Sequence, residues 1–302
     1  MGTLRPLAGS VSDSAIQSLC HGFELGFPAV DVTSLAVARE FAFSSNSPDE
    51  FAFFYQASEM VSKFLDTSPE GSTQRRLAAE NSFFAFEEKC RDTNGRMVDC
   101  WSRPGLPVGL LNRARVILKT LLGPFEWDEF PTSCGFGPGA SSGLKRRESS
   151  HQNKWALSTH ITERALPYYA AFRRWADLDL LPDRCTIVSG NKVTTVPKNY
   201  KIDRLIAIEP DWNAFLQHGV GSMIRRRLQR VGVLRPDAQD VNRALARLGS
   251  WTGSLATLDL RGASDCISLA LCESLLPEDW YRVVYDLRSD KGSLGPLTIT
   301  YE

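Results

Sequence analysis

The stretch LATLDLRGASD, residues 255–265, is the part of the sequence that decides the fold. Its first half, LATLDL, has the apolar character of a buried β-strand, and Asp259 lies near the end of that strand. If the chain stayed extended, Asp259 and Asp265 would lie about 20 Å apart, six steps of about 3.3 Å each. Two carboxylates at that separation cannot share a ligand, so the chain has to turn between them for the pair to act together.

The residues after the predicted strand favour such a turn, followed by a helix. Gly262 permits the turn, and Ser264 is a residue type that caps helix N-termini. Apolar residues between Ile267 and Leu275 recur at helical spacing. This strand–turn–helix would place one carboxylate at the strand tip and Asp265 in the first helical turn, both facing one cleft. For an isolated Asp pair, a capping role or a coincidence of spacing remains the alternative.

A cationic cluster precedes this segment on short loop and strand elements. Its members are Lys198, Lys201 and Arg204, which suit a triphosphate and its pyrophosphate leaving group. A carboxylate on a strand together with a cationic clamp is what Mg²⁺-dependent nucleotidyl transfer requires. The two-metal form of this chemistry holds ions about 3.5–4 Å apart and needs carboxylates from more than one element.

The charge of the chain is segregated, although its 35 basic and 35 acidic residues cancel over 302 residues. Residues 1–134 hold 12 basic and 17 acidic side chains, residues 135–230 hold 16 and 8, and residues 231–302 hold 7 and 10. A cationic middle third between acidic flanks indicates a groove for a polyanion, and a solvated cationic face is the alternative on charge alone. The 43% hydrophobic content is that of a globular protein of roughly two domains.

The sequence predicts a soluble protein that is not exported. No stretch reaches the roughly 18 apolar residues of a membrane span, and the N-terminus lacks the apolar core of a signal peptide. The seven cysteines are odd in number and form no C-x-x-C motif, which favours reduced thiols in a cytosol.

The first 125 residues have helical periodicity and few chemistry-bearing residues. Three helices are expected, separated by a turn-rich loop from Thr93 to Pro107. The helices span about Ser47–Leu65, Ser72–Asp92 and Leu110–Leu122, the first opening on a capping box and the last closed by Gly123. A structural or docking role fits this region best.

The middle of the chain begins with the glycine-rich run Gly135–Gly143, which leads into Lys145–Arg147. It matches neither a Walker A loop nor a dinucleotide-binding fingerprint. We expect a mobile cationic loop, and both a flexible linker and an anion-binding loop stay open. After it, the pattern predicts a helix over Ser158–Trp175, a β-hairpin of Cys185–Val188 and Lys192–Val196, a strand over Leu205–Ile208, and helices over Asp211–Arg230 and Asp237–Leu248.

Several side chains are candidates for contact with the polyanion that the charge segregation indicates. The basic candidates are Lys145, Arg146, Arg147, Arg225 and Arg226. The aromatic candidates for base stacking are Tyr168, Tyr169, Trp175 and Tyr200. A solvated helix face is the alternative for the arginine run, and core packing is the alternative for the aromatic residues.

Four stretches resemble the replicase β subunit of leviviruses, the positive-strand RNA bacteriophages. They are residues 196–213, 256–273, 280–289 and the loop FGPGA at 136–140. The resemblance is dense over residues 185–302 and diffuse in the first 130. It implies an α+β fold of the right-hand polymerase type, with a helical N-terminal region (1–131), a basic fingers region (132–244) and the start of the catalytic palm (245–302).

The resemblance also implies roles for individual residues. Residues 255–273 correspond to polymerase motif A, in which Asp259 is the catalytic ligand of Mg²⁺, together with the main chain of Leu260. Ser264 and Asp265 would lie at the incoming nucleotide, with Asp265 near the ribose 2′-hydroxyl. Lys198, Lys201 and Arg204 would contact the triphosphate. The implied partners are an RNA template, NTPs, host translation elongation factors and a ribosomal protein, in the cytoplasm of the bacterial host and without a membrane.

Two elements of such a polymerase do not occur in this sequence. Motif C, a hairpin with Gly-Asp-Asp, supplies the remaining carboxylates of the two-metal site, and motif B follows motif A. We therefore expect a truncated polymerase, ending before motifs B and C and inactive alone. The alternative is a noncatalytic RNA-binding or host-factor-docking protein.

Overall fold

Two units make up the computed structural model, which describes residues 47, 51, 55–56, 68–102, 108–178, 185–199 and 201–302. One unit comprises residues up to 82 together with 195–205, and the other comprises 83–194 together with 206–302. The helix expected over Ser47–Leu65 lies almost entirely outside the described residues. The domain boundaries given above concern polymerase subdomains and stay a prediction.

Two helices open the described part of the chain, α1 over Pro69–Ser102 and α2 over Val108–Leu122. Both were expected, but α1 continues well past its predicted end at Asp92, so the loop predicted from Thr93 is wrong as far as Ser102. Residues there are fixed by distant partners: the Asn94 side chain, for example, accepts a hydrogen bond from a backbone N–H 176 positions away. Tertiary contacts of this kind override local turn signals.

The helix predicted over Ser158–Trp175 is correct only in its second half. After α3 (Glu129–Ser133) and α4 (His151–Leu157), residues His160–Ile161 form a short strand, β1, and α5 spans Leu166–Trp175. The backbone N–H groups of residues 159, 160 and 162 donate to buried side chains of a later helix, as described below. A helix through these positions would direct the same N–H groups to its own carbonyl oxygens.

The predicted hairpin is also wrong, because its two strands belong to different sheets. Strand β2 (Thr186–Ile187) pairs in parallel with β1, with His160 opposite Thr186. Strand β3 (Asn191–Pro197) joins a second sheet of order β4-β3-β5-β6. The two neighbours of β3 are β4 and β5, and the neighbour of β2 is β1, so β2 and β3 do not pair with each other.

The second sheet is completed by three strands. They are β4 over Asp203–Ile208, close to the strand predicted there, β5 over Lys291–Leu294 and β6 over Leu297–Thr300. Strand β3 runs parallel to β5 with Asn191 opposite Gly292. Strands β5 and β6 are antiparallel.

The core surrounds α6, which spans Asp211–Arg230 as predicted. Phe215, Leu216 and Met223 of this helix are at most 1% exposed. They belong to one buried cluster with Trp280 and other apolar residues of α9 (Glu278–Leu287). Helix α7 (Ala238–Thr252) confirms the helix predicted over Asp237–Leu248 and extends beyond its predicted C-terminal end. Helix α8 spans Leu269–Leu275.

Candidate functional site

The segment that carries Asp259 is exposed to solvent and does not form the predicted buried strand. Residues 254–260 belong to no strand or helix, and all of them are exposed. Leu258 is 86% exposed and Leu260 is 74% exposed. A strand needs a neighbour to take up its backbone hydrogen bonds. Within the part of the chain that the structure describes, no strand pairs with this segment. The apolar pattern alone therefore wrongly predicts a strand here.

The turn after this segment occurs where it was predicted. Gly262 has a φ of +63°, which side chains other than glycine rarely adopt, and a Cβ atom there would lie 2.2 Å from Cζ of Phe86. The turn is therefore fixed both by its backbone conformation and by the close approach of an aromatic ring.

Asp265 lies in a short 3-10 turn, Ser264–Cys266, and not in the first turn of an α-helix as predicted. Its carboxylate is exposed and accepts a hydrogen bond from Ser264 Oγ at 3.1 Å. Ser264 therefore does not cap the helix, since α8 begins at Leu269 after Ser268, whose side chain makes no capping bond. The Ala270 N–H donates instead to Asn94 Oδ1 at 3.0 Å, so a residue of α1 caps α8.

One face of α1 supports the whole turn. Phe86, Cys90 and Asn94 follow each other at intervals of four residues and therefore line one side of the helix. Phe86 packs against Gly262, Cys90 Sγ donates to the main-chain oxygen of Asp265 at 3.3 Å, and Asn94 caps α8. Sequence reasoning missed these three residues, and their spacing was the only signal that could have found them.

The Cys90 thiol can act as a donor because it stays protonated. Burial first, and then the nearby Glu87 carboxylate, raise the pKa of Cys90 above its ordinary value. A neutral S–H donates weakly to a carbonyl oxygen. The contact therefore orients the Asp265 backbone without placing a second negative charge beside its carboxylate.

The magnesium site expected at Asp259 stays a prediction. Among them, no group of three or more His, Cys, Asp or Glu side chains is gathered closely enough to hold a metal ion. Asp259 and the main-chain oxygen of Leu260 are oxygen ligands of the kind Mg²⁺ prefers, and both residues are exposed. These two residues alone fall short of a complete site.

The cationic cluster lies in the first unit, with Lys198 and Lys201 between β3 and β4 and Arg204 within β4. Asn199 Oδ1 accepts hydrogen bonds from the backbone N–H groups of Lys201 and Ile202, each at 3.0 Å. The strand that follows is anchored by Asp203, whose buried carboxylate accepts a hydrogen bond from Arg75 Nε at 3.1 Å. The three basic residues of the cluster, Lys198, Lys201 and Arg204, are all exposed. Asp259 and Asp265 belong to the second unit, and their relation to these cations stays a prediction.

The candidate RNA contacts differ in what they already bind. Lys145, Arg146, Arg147 and Arg225 are exposed. Arg226, in contrast, forms an ion pair with Glu129 at 2.8 Å and also donates to Ser133. The neighbouring Arg227 is buried against Trp280 and has a structural role.

The candidate stacking residues differ in a similar way. Tyr169 is 4% exposed, and Tyr168 donates from its hydroxyl to Asp286 Oδ2 at 2.7 Å, so both serve packing within the second unit. Trp175 is 54% exposed. Tyr200 lies outside the described residues.

Comparison with known proteins identifies the family. The chain matches the family model described as RNA replicase, beta-chain, over residues 15–302. It is 39% identical over 284 residues to the RNA-directed RNA polymerase subunit beta of Enterobacteria phage SP, which covers 92% of this chain and 49% of that protein. It is 40% identical over 267 residues to the corresponding subunit of Escherichia virus Qbeta, covering 85% of this chain and 44% of the relative.

A more distant relative shows the same partial coverage. The RNA-directed RNA polymerase beta chain of Escherichia phage MS2 is 33% identical over 320 residues, covering 97% of this chain and 55% of that protein. The chain belongs to the RNA replicase β-chain family and spans about half the length of the curated relatives it matches. Among its described residues, no helix combines the length and apolar character that a bilayer crossing demands.

Proposed function

We propose that this chain is part of an RNA-directed RNA polymerase that replicates a phage RNA genome by template-dependent nucleotidyl transfer from NTPs. The observation that carries the proposal is the family match over residues 15–302. The right-hand polymerase architecture, with the basic region as fingers and residues from 245 onwards as the start of the palm, is part of the same proposal. The mixed helix and sheet content is compatible with it.

The proposed roles follow from the chemistry of each side chain. Lys198, Lys201 and Arg204 bind the triphosphate, because cationic donors bond strongly to phosphate oxygens. Asp265 accepts a hydrogen bond from the ribose 2′-hydroxyl and thereby favours NTPs over dNTPs. The exposure of its carboxylate leaves it accessible to a nucleotide. The contacts from α1 hold the backbone that carries this carboxylate.

Asp259 and the main-chain oxygen of Leu260 are the residues of this chain that would hold Mg²⁺. Their oxygen donors fit the preference of the ion, and further ligands have to come from outside the described residues. Bound Mg²⁺ supplies electrostatic stabilisation of the charge that develops on phosphate oxygens. RNA, NTPs, host translation elongation factors and a ribosomal protein are the proposed partners, in the cytoplasm of the bacterial host.

The first experiment tests Asp259 in a polymerase of the full length of the relatives. We expect Asp259→Asn to abolish NMP incorporation on an RNA template and to leave RNA affinity nearly unchanged. The matched control is Asp240→Asn, which changes an exposed carboxylate on α7 that pairs with Arg243. Retained synthesis in the Asp259 variant would remove Asp259 from the site.

The second experiment measures Mg²⁺-dependent NTP binding by the chain. We expect Lys198→Gln and Arg204→Gln each to weaken binding by about 10- to 100-fold, the range of a lost charge-assisted hydrogen bond. Arg243→Gln removes a comparable exposed charge and should leave NTP affinity unchanged. RNA binding without any NTP binding would instead favour a noncatalytic RNA-binding or docking protein.

A further inference from the structure

The glycine loop (residues 135–144) is tied down along its backbone, in contrast to the mobile loop that its composition predicts. The Gly137 carbonyl accepts a hydrogen bond from Lys154 Nζ. The Ser142 carbonyl accepts one from Lys192 Nζ at 2.8 Å, and the Ser142 N–H donates to a main-chain oxygen 2.9 Å away. Both halves of the loop are therefore fixed to the elements that surround it.

Asp211 is the central anchor of this loop. The residue is fully buried, and its carboxylate accepts three backbone hydrogen bonds, from Gly143 at 3.1 Å, Thr159 at 2.8 Å and His160 at 3.0 Å. A Cβ atom at Gly143 would lie 2.4 Å from Asp211 Oδ2, so the approach depends on glycine at this position. One carboxylate thus joins the end of the glycine loop to β1 and to the start of α6.

Lys154 anchors the other end of the loop from inside the protein. It is only 5% exposed, which is unusual for lysine. Burial lowers the pKa of Lys154, and the Asp211 carboxylate opposes that shift. The ammonium group donates to the Gly137 carbonyl and therefore serves the loop rather than solvent.

The residues that follow the loop present cationic and aromatic groups to solvent. Lys145, Arg146 and Arg147 are all exposed. Among the described residues, neither Lys145 nor Arg146 has a carboxylate partner, whereas Arg147 lies 3.5 Å from the adjacent Glu148.

Trp155 adds an exposed ring to the same stretch of chain. It packs edge-on against Phe136 at the start of the glycine loop, with ring centroids 5.3 Å apart, and its indole N–H donates to His151 Nε2 at 3.2 Å. Even so, 42% of the residue stays exposed. The ring also stacks on Phe172, with centroids 6.3 Å apart, so packing fixes the ring while part of the residue stays exposed.

We propose that residues 135–155 form a preorganised binding site for single-stranded RNA. Lys145, Arg146 and Arg147 neutralise phosphates, and Trp155 stacks on a base. These are the two components of single-strand recognition, a cationic surface and aromatic platforms. Asp211 acts as a positioning residue, because it holds the loop from which this surface starts. RNA as the ligand rests on the proposed function, whereas the site itself rests on the contacts given above.

The test compares two triple variants of the chain in binding a fluorescein-labelled 15-nucleotide oligo(U). One variant replaces Lys145, Arg146 and Arg147 with Gln, and the control replaces the exposed Arg235, Arg243 and Arg247 of the same unit with Gln. Each neutralised phosphate contributes about −0.7 to the slope of log K against log salt on single strands. We expect the slope of the first variant to be smaller in magnitude than that of the wild type by about 2. Between 50 and 200 mM KCl, its affinity should therefore fall about 20-fold less than the affinity of the wild type.

The control variant should keep the wild-type slope. Equal slopes in the wild type and the first variant, or equal losses in both variants, would overturn the proposal. So would a chain that binds no oligo(U). Failure of the proposed function has a different signature, because the chain would then bind oligo(U) through this site but would not bind NTPs.

Two further variants test stacking and positioning. Trp155→Leu should weaken oligo(U) binding about tenfold, and Trp155→Phe should largely restore the affinity. The two variants should bind an abasic oligonucleotide with equal affinity, because it offers no base for stacking. Asp211→Asn turns an N–H donor towards one of the three backbone N–H groups. It should speed tryptic cleavage at residues 145–147 under native conditions while all three cations remain. Equal binding of oligo(U) and the abasic strand by the wild type would refute stacking, and unchanged cleavage would refute the positioning role.

Discussion

The substitution Glu129→Gln tests the ion-pair cluster that holds α3 against α6. Glu129 accepts hydrogen bonds from Arg226 Nε and from Arg227 Nη1, both at 2.8 Å. The Arg227 side chain is 7% exposed and that of Glu129 is 23% exposed, so this pair is largely shielded from water. Arg227 also stacks on Trp280 and would stay buried in the variant without its counter-charge.

The expected loss follows from these bonds. Two charge-assisted hydrogen bonds contribute about 1.5–3 kcal/mol each, and the glutamine oxygen retains one bond from a guanidinium group, at the lower end of that range. With the smaller desolvation cost of an amide, we expect the free energy of unfolding to fall by about 3 kcal/mol, as when one partner of a buried pair is removed. For a unit of this size, this corresponds to a decrease in Tm of about 6–12 °C.

Guanidinium chloride unfolding, followed by tryptophan fluorescence, measures this loss. The control is Glu278→Gln, which breaks a surface pair with Arg282 whose side chains are 85% and 71% exposed. This change should cost at most about 0.5 kcal/mol. A loss below 1 kcal/mol in Glu129→Gln, or equal losses in both variants, would refute a structural role for the cluster.

The pH dependence provides a second check on the same carboxylate. Burial acts to raise the pKa of Glu129, but the hydrogen bonds from Arg226 and Arg227 outweigh it and lower the pKa below the ordinary value of 4.5. The native state then holds fewer protons on Glu129 than the unfolded state does, so the stabilisation is fully present above pH 4.5 and is lost as the pH falls through the lowered native pKa. The difference between wild type and variant should therefore shrink in acid, and a constant difference would exclude charge as its origin.

Two further substitutions test the loops that carry the candidate site residues. Gly262→Ala should lower the free energy of unfolding by about 1–3 kcal/mol, because it strains a positive φ and places a Cβ atom against Phe86. Gly221→Ala in α6 is the control and should not lower it, because nothing lies within 4 Å of the added Cβ atom. Urea unfolding of both variants measures the difference, and equal effects would contradict the reasoning. Asn199→Ala removes the acceptor of two backbone N–H groups, so amide hydrogen exchange in the loop 198–202 should quicken. Unchanged protection there would show that another contact orders the loop.

The elements that could be predicted from the sequence are those whose signals are local. Helix α6 has its predicted bounds because its apolar spacing and its buried partners agree. The turn at Gly262 also occurs where expected, since glycine supplies the required conformation by itself. The helix from Ser158 failed because the partners of its first backbone N–H groups lie far away in the sequence, on α6. The strand predicted at residues 255–260 failed because no strand pairs with it in the described part of the chain.

The same distinction applies to the candidate site. Asp259, Asp265 and the three upstream cations could be named because their chemistry is local to short motifs. The residues that fix the Asp265 turn lie on α1, and the Cys90 contact with Asp265 joins positions 175 residues apart. Sequence spacing within α1 gives three residues on one face but no indication of what that face meets. Fixing a carboxylate within a fraction of an ångström depends on such supporting contacts. Substitutions on this face of α1 should therefore alter the position of the Asp265 backbone.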